Sequence, residues 1–361
     1  VQVTLRERPA EAPLVPLARE PCGPEIADAL DALRDRTPDT EFKADVLGWL
    51  AAAYRPEAGL ADAFADALHA LLGPRGLVVF RAHAPAAKRV MAPLLLRALS
   101  VTLEDGHLPV LLEARAGRDR LRADNGAFVT RRSGERFSRG ELERTAAESP
   151  ERLSPNVLLR PVVEAALFPT VAYAAGPSEL DYLPQARPLY AALDDGIELQ
   201  TPVPRWSGVL IEGRVAKVLD KYTLTIAEFG GPPGRLEARL VRETLPPDVI
   251  ALFSEIRERL GVDFGRLAQA VAGIEPTLER AVHSVRNTAL AGTADLEKRL
   301  VAALKRHNET LVGQLGRARA AIAPSGKPQE RVLTLASFLI RYGPALVDAL
   351  DAEVARWAVA R

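Results

Sequence analysis

The sequence predicts an α/β core of the parallel-sheet kind followed by an all-α portion. Three observations support this. Short apolar strands alternate with amphipathic helices over the first 245 residues, the grammar of a doubly wound sheet. From Pro246 that alternation gives way to apolar residues at spacings of three and four, the mark of paired helices. Between these, Leu153 to Arg205 places a strand at a Gly-Pro-Ser turn that feeds a helix.

Composition narrows the class. The chain has 361 residues, 48% of them hydrophobic, and a formal net charge of +0. That length allows two or three domains, and the charge balance offers no argument for nucleic acid. No apolar run is long enough to span a bilayer and no signal peptide is visible, so we expect a cytoplasmic protein. The single cysteine, Cys22, excludes an intrachain disulfide and fits a reducing compartment. Five scattered histidines form no metal-ligand pattern, so no metal site is expected. The chain opens at Val1 on VQVTLRE, which looks like a strand in mid-domain and suggests a piece of a longer protein.

Taken in order, residues 1–24 are Pro-rich after one strand. Glu25 to Leu33, Thr40 to Tyr54 and Leu60 to Leu72 show helical periodicity, with Phe42, Val46, Leu47 and Leu50 on one face. Gly73-Pro74-Arg75-Gly76 breaks the third helix, and Leu77 to Phe80 looks like a buried strand ahead of an Ala-rich helix from Pro85 to Leu99. Residues 107–150 form an antiparallel insertion, with strands at Pro109–Ala114 and Phe128–Arg132 separated by charged turns, then a short helix. Arg115, Arg118, Arg120, Arg131 and Arg132 fit either solvated strand faces or a phosphate-binding patch.

The stretch from Leu153 is the richest. A polar turn at Ser154, Pro155 and Asn156 opens an apolar helix that Pro169 ends, and Thr170 to Ala174 is a buried strand. Gly176-Pro177-Ser178-Glu179 then starts a helix, directing backbone N–H groups at one spot that favours phosphate or carboxylate. Equally, Ser178 can be an ordinary N-cap with Glu179 in the first turn. Asn156 and Arg160, four apart, share a face. A guanidinium in that apolar run calls for an anionic partner, internal or bound. Arg205 follows the strand Leu199 to Val203, at a strand end where open α/β sheets bind ligands.

Residues 246–323 are expected to form an antiparallel coiled-coil hairpin. Its first arm kinks near Gly261 and again at Pro276, Gly292 breaks the pattern, and a second arm runs from Asp295. His307 and Gln314 fall on or near the seam. The apolar circumference of the first arm (Leu252, Phe253, Ile256, Leu260) exceeds what one partner helix covers, which predicts a homodimer. Residues 324–361 complete the chain with two helices around Arg341-Tyr342-Gly343-Pro344, packing back on the core of residues 1–245.

Several of these stretches together resemble the BshC-type bacillithiol biosynthesis cysteine-adding enzymes. They are LSPNVLLRP (153–161), FPTVAYAAGPSELDY (168–182), PVPR (202–205), IEPTLE (274–279), RARAAIAPSGKPQERVL (317–333) and RYGP (341–344), in the family's order across most of the chain. The resemblance implies a nucleotidyl-transferase-type Rossmann-like core with a connecting insertion and a dimerising coiled coil. It implies a ligase that joins cysteine to glucosaminyl-malate, with ATP as the activating substrate. Nucleotide- or substrate-binding roles pass by resemblance to Asn156, Arg160, Gly176, Pro177, Glu179, Tyr182, Gln185 and Arg205, and Ser178 joins the candidates from its place in the same turn; no catalytic residue or metal ligand is implied. The family's GPLYT-like and EDHD-like elements are not in this chain, Glu164-Ala165 stands where Gln-Asp is usual, and Ala175 replaces the first of two glycines. These departures predict an incomplete core, an inactive chain by itself, and unusual exposure at Leu77 to Phe80. They also keep open a rival reading, a non-catalytic dimeric coiled-coil interaction protein.

Overall fold

The computed structural model describes residues 15–193 and 196–360, apart from the side chains of residues 305–307. The strand expected at residues 1–7 and the side chain of His307 therefore lie outside the described residues. The described chain divides into two compact units, one running to Trp206 and resuming at Leu335, the other Ser207–Thr334. The division falls at Trp206, not near residue 245.

The first unit begins with α1 (Glu25–Arg36), α2 (Lys43–Ala53) and α3 (Leu60–Leu72), close to their expected bounds. Residues 77–80 are not a strand. They are irregular, and Val78 is 87% exposed. A four-residue apolar run carries no periodicity that separates a buried strand from an exposed loop. Helix α4 (Pro85–Ala98) buries Met91, Leu94, Leu95 and Ala98 against a five-stranded antiparallel sheet. Its strands are β1 (Val110–Ala114), β2 (Gly117–Asp124), β3 (Ala127–Thr130), β4 (Arg136–Phe137) and β5 (Leu153–Pro155), in the order β4-β3-β2-β1-β5.

Two elements of this sheet differ from expectation. Residues 117–124 were assigned to charged turns, yet they alternate cleanly: Asp119 and Leu121 point inward, while Arg120 and Arg122 point to solvent. Asp119 is satisfied where it is buried, accepting from the Arg120 and Arg132 N–H groups at 2.8 and 2.7 Å. Ser154 and Pro155 belong to β5, paired with Leu111 and Val110, rather than to a turn. Helix α5 (Arg139–Glu148), opened by a Ser138–Glu141 capping box, packs on α4.

Helix α6 (Arg160–Leu167) leads to β6 (Ala172–Ala175), then α7 (Pro177–Leu193) and β7 (Thr201–Pro204). Strands β6 and β7 pair in parallel, Ala172 opposite Thr201 through Ala175 opposite Pro204. This is the only parallel pairing among the described residues. Strand β6 is largely exposed instead of buried; only Ala175 is inside. The chain returns to this unit with α13 (Ala336–Tyr342) and α14 (Ala345–Val359), α13 packing against α2.

The second unit holds α8 (Gly213–Tyr222), α9 (Arg235–Glu243), α10 (Pro247–Ala272), α11 (Glu279–His307) and α12 (Glu309–Ile322). Helices α10 and α11 form the antiparallel hairpin. Its turn lies at Gly273–Pro276, so Pro276 sits at a helix start where its missing N–H costs nothing. Gly292 is inside continuous α11 and Gly261 inside continuous α10. Helix α12 does not extend the hairpin. Its Leu311, Leu315, Ala318 and Ile322 bury against Phe229, Leu236, Leu240 and Val241. Gln314, expected near the seam, accepts from the Tyr222 hydroxyl of α8 at 2.7 Å.

Gly343 has φ +67 and ψ −168, a conformation nearly confined to glycine. A Cβ there would meet the Phe42 ring at 2.6 Å. Gly343→Ala should therefore cost about 2–4 kcal/mol, combining backbone strain with overpacking. A urea-unfolding midpoint equal to wild type, followed by tryptophan fluorescence, would contradict this.

Candidate functional site

The sequence from Tyr173 to Glu179 turns a strand into a helix within two residues. Leu180 N–H closes the first turn of α7 by donating to the Gly176 carbonyl at 2.9 Å. Because β7 runs parallel to β6, the carboxyl ends of both strands arrive at the same edge, and Arg205 N–H donates to the Ala175 carbonyl at 2.7 Å. Arg205 is thereby set beside Gly176. A side chain at Gly176 would begin 3.3 Å from Glu179 Oε2 and 3.5 Å from Arg205 Nη2, so its lack of a Cβ is what lets both groups come this close.

Of the expected residues, Gly176, Glu179, Tyr182 and Arg205 come together. Glu179 Oε2 accepts from Gly176 N–H at 2.7 Å, and Tyr173 Oη stands 3.5 Å from Glu179 Oε1. The N–H site expected to hold a bound anion thus holds a carboxylate of the chain itself. Ser178 is exposed and makes no cap among the described residues; the capping is done by Glu179. Gln185 is exposed on α7, six positions beyond Glu179 and turned away from it. Asn156 is a structural cap: its Oδ1 accepts from the Leu158 and Leu159 N–H groups at 3.0 and 2.9 Å. Arg160 is exposed and makes no internal ion pair among the described residues.

Three residues that the sequence did not single out join the cluster. Burial pushes the Tyr173 phenol up to about 12, and Glu179, Tyr182 and Glu164 add to the shift. Burial also raises Tyr182, with Glu179 contributing. Both phenols are thus held as donors at neutral pH. Glu164 is raised by burial, opposed by the nearby Gln200 amide and Arg160, and raised further by Glu179. Gln200 is 4% exposed, and neither polar atom of its amide makes a hydrogen bond of normal geometry among the described residues. The Gln200 amide thus moderates the rise at Glu164 without reversing it. Position 164 had drawn notice only as a departure from the family pattern.

Chemically, the edge gathers the Arg205 guanidinium, with that of Arg160 in electrostatic reach, two carboxyls of unlike environment and two protonated phenols. It can neutralise an oxyanion and donate hydrogen bonds to it. Among the described residues no group of histidine, cysteine and acidic side chains could hold a metal ion. No helix is long and apolar enough to cross a membrane.

A parallel strand–helix–strand edge and a long helical hairpin fit a Rossmann-like domain and a coiled-coil domain. Comparison with known proteins agrees. Residues 8–106 and 100–205 match "Bacillithiol biosynthesis BshC, N-terminal Rossmann-like domain", and residues 208–355 match "Bacillithiol biosynthesis BshC, C-terminal coiled-coil domain". A protein of Salinibacter ruber is 34% identical over 90% of this chain and 63% of its own length. One of Chlorobaculum tepidum is 30% identical over 91% and 64%, and one of Prosthecochloris aestuarii 27% over 92% and 65%. All three bear the name "Putative cysteine ligase BshC". The chain belongs to the BshC family. It spans a little under two thirds of the length of these relatives.

The cluster yields a direct electrostatic check. Glu179→Gln removes a negative charge beside Tyr173, so the phenolate becomes easier to form and the Tyr173 pKa should fall from about 12. Alkaline titration of the tyrosine carbon resonances reads it; an unmoved or rising value would show that Glu179 does not face Tyr173.

Proposed function

We propose that the protein containing this chain is a cytoplasmic ligase of low-molecular-weight thiol biosynthesis, adding cysteine to glucosaminyl-malate to form bacillithiol. ATP activates the cysteine carboxyl, the sugar amine attacks the activated carbonyl, and a C–N bond replaces the bond to the leaving phosphoryl group. The observation that supports this reading is the meeting of Arg205 and Glu179 at the carboxyl ends of two parallel strands, in a chain of the BshC family. Arg205 would counter negative charge on the nucleotide or the developing oxyanion. The phenols of Tyr173 and Tyr182 would donate to it, and Glu179 would hold the Gly176 turn and Arg205 in place. A coupled assay of the protein containing this chain, given cysteine, ATP and glucosaminyl-malate, should yield the thiol product by mass. Arg205→Gln should lower kcat/KM by about 10²-fold. A protein that folds but forms no product, or full activity in Arg205→Gln, would overturn the reading.

The hairpin is proposed to join two copies. Leu252, Ile256 and Leu267 of α10, Leu278 of the turn, and Val285 and Leu296 of α11 remain exposed after those helices pair, and a two-fold interface would cover such a stripe on both copies at once. This same stripe is what favours the rival reading of a non-catalytic interaction protein, which the ligation assay tests. Light scattering at tens of micromolar protein should give a dimer, and Leu252→Asp with Leu296→Asp a monomer. A monomeric wild type would end the dimer proposal.

A further inference from the structure

A cavity of about 650 Å³ opens in the first unit between α4, β5 and α6. Its polar wall is mostly cationic: Lys88 from α4, Arg118 from β2 and Arg160 from the start of α6 all line it. Lys88 is only 7% exposed. Its Nζ donates to the Leu153 carbonyl at 2.8 Å and to Ser154 Oγ at 3.1 Å, both neutral acceptors, and an ammonium has a third proton to give. None of the three cations makes an ion pair among the described residues.

The acids nearby compensate them only in part. Glu113 is taken by Arg19 at 2.6 Å. Glu151 and Glu164 line the cavity, but Glu164 is itself pushed by burial toward its neutral form. His83, also on the wall, is 3.0 Å from Asp62. Consistent with an excess of positive charge, burial depresses Lys88 to about 8, with Arg118 and Arg19 adding to the effect against Glu151 and Glu113. Burial likewise lowers Arg118, opposed by Glu113 and reinforced by Arg160 and Arg19.

Gathering three cations around one partly desolvated space, with Glu151 and a carboxyl pushed toward neutrality as the acids on its wall, leaves an excess of positive charge that an entering anion would relieve. Two guanidiniums and an ammonium present forked and single donors, the set that grips carboxylate or phosphate oxygens. The remaining wall is apolar, with Met91, Val163, Leu167 and Phe168 available for the ligand's carbon body. We infer that this cavity is a binding site for a small-molecule oxyanion of two or more charges, a dicarboxylate or a polyphosphate, gripped by Lys88, Arg118 and Arg160. The cavity adjoins the Gly176–Arg205 edge and shares Arg160 and Glu164 with its electrostatic surroundings, while Lys88 and Arg118 belong to the cavity alone. Its existence does not depend on the ligase reading.

Isothermal titration of the 361-residue chain with succinate and with pyrophosphate tests this. At least one should bind at a single saturable site with Kd below about 1 mM, and Arg118→Gln and Arg160→Gln should each weaken it about tenfold or more. Arg118 is half-buried on a strand whose neighbours alternate to solvent, so its substitution leaves the fold intact, as circular dichroism would confirm. Lys88→Met is the harsher variant and should abolish binding. Arg205→Gln should leave binding within about twofold. Preference for succinate identifies a carboxylate ligand, preference for pyrophosphate a phosphorylated one. Absence of saturable heat up to about 10 mM of either probe overturns the assignment. So does binding lost in Arg205→Gln but kept in Arg118→Gln, which would move the anion to the strand ends.

Discussion

The candidate site rests on the parallel pairing of β6 and β7. Two strands joined through a helix arrive pointing the same way, so the turn after one strand and the first residue after the other must meet at one edge. The hydrogen bond from Arg205 N–H to the Ala175 carbonyl closes that edge. Everything else there follows from it: the guanidinium lies beside Gly176, Glu179 folds back on its own turn, and Tyr173 is left against a carboxylate. An antiparallel hairpin over the same residues would have carried Arg205 to the far end of the sheet.

The two units manage buried charge differently. In the second, Arg319 is enclosed with acceptors for two of its three nitrogens: Nη1 donates to the Phe229 and Gly231 carbonyls at 2.9 and 3.0 Å, and Nε reaches Glu237 at 3.4 Å. Glu297 of α11 likewise binds Arg242 of α9 and Arg257 of α10, tying three helices together. These charges are consumed by the structure. In the first unit, Lys88 is as withdrawn from water and Arg118 is half-buried; Lys88 donates to neutral acceptors, and the repulsion between the two is offset only in part by Glu113. A paired internal charge is architecture; an unpaired one facing a cavity is an invitation to a ligand.

Helices with a clear apolar face were legible at sequence level, and α3 matches its expected bounds because its pattern and the following Gly-Pro both speak. The hairpin turn was misplaced because Gly292 looked like a break. In an exposed helix one glycine costs only about 1 kcal/mol, and long flanking turns absorb it. Pro276, taken as a kink, was the true punctuation. Strand β2 was missed because its outward residues are arginines, which made an alternating strand resemble a charged turn. At the strand ends, Gly176, Glu179, Tyr182 and Arg205 were legible because a turn motif and a resemblance both marked them. Lys88 was not, since one lysine in an Ala-rich helix looks like any solvated residue; only the fold shows that β5 lies over it.

The first unit is not contiguous in the chain, and that has a consequence for how it is made. Thr40 Oγ1 donates to the Ile340 carbonyl, and Phe42 is the ring that Gly343 accommodates. A ribosome must therefore translate the whole of Ser207–Thr334 before helix α2 meets its partner. Until α13 emerges, the face of α2 that it covers has no permanent cover, while the intervening unit has all of its own core residues in hand and can fold first. Biogenesis would then run from the middle of the sequence outward, and a stop codon anywhere between residues 207 and 335 would strand α2 without its late-arriving half.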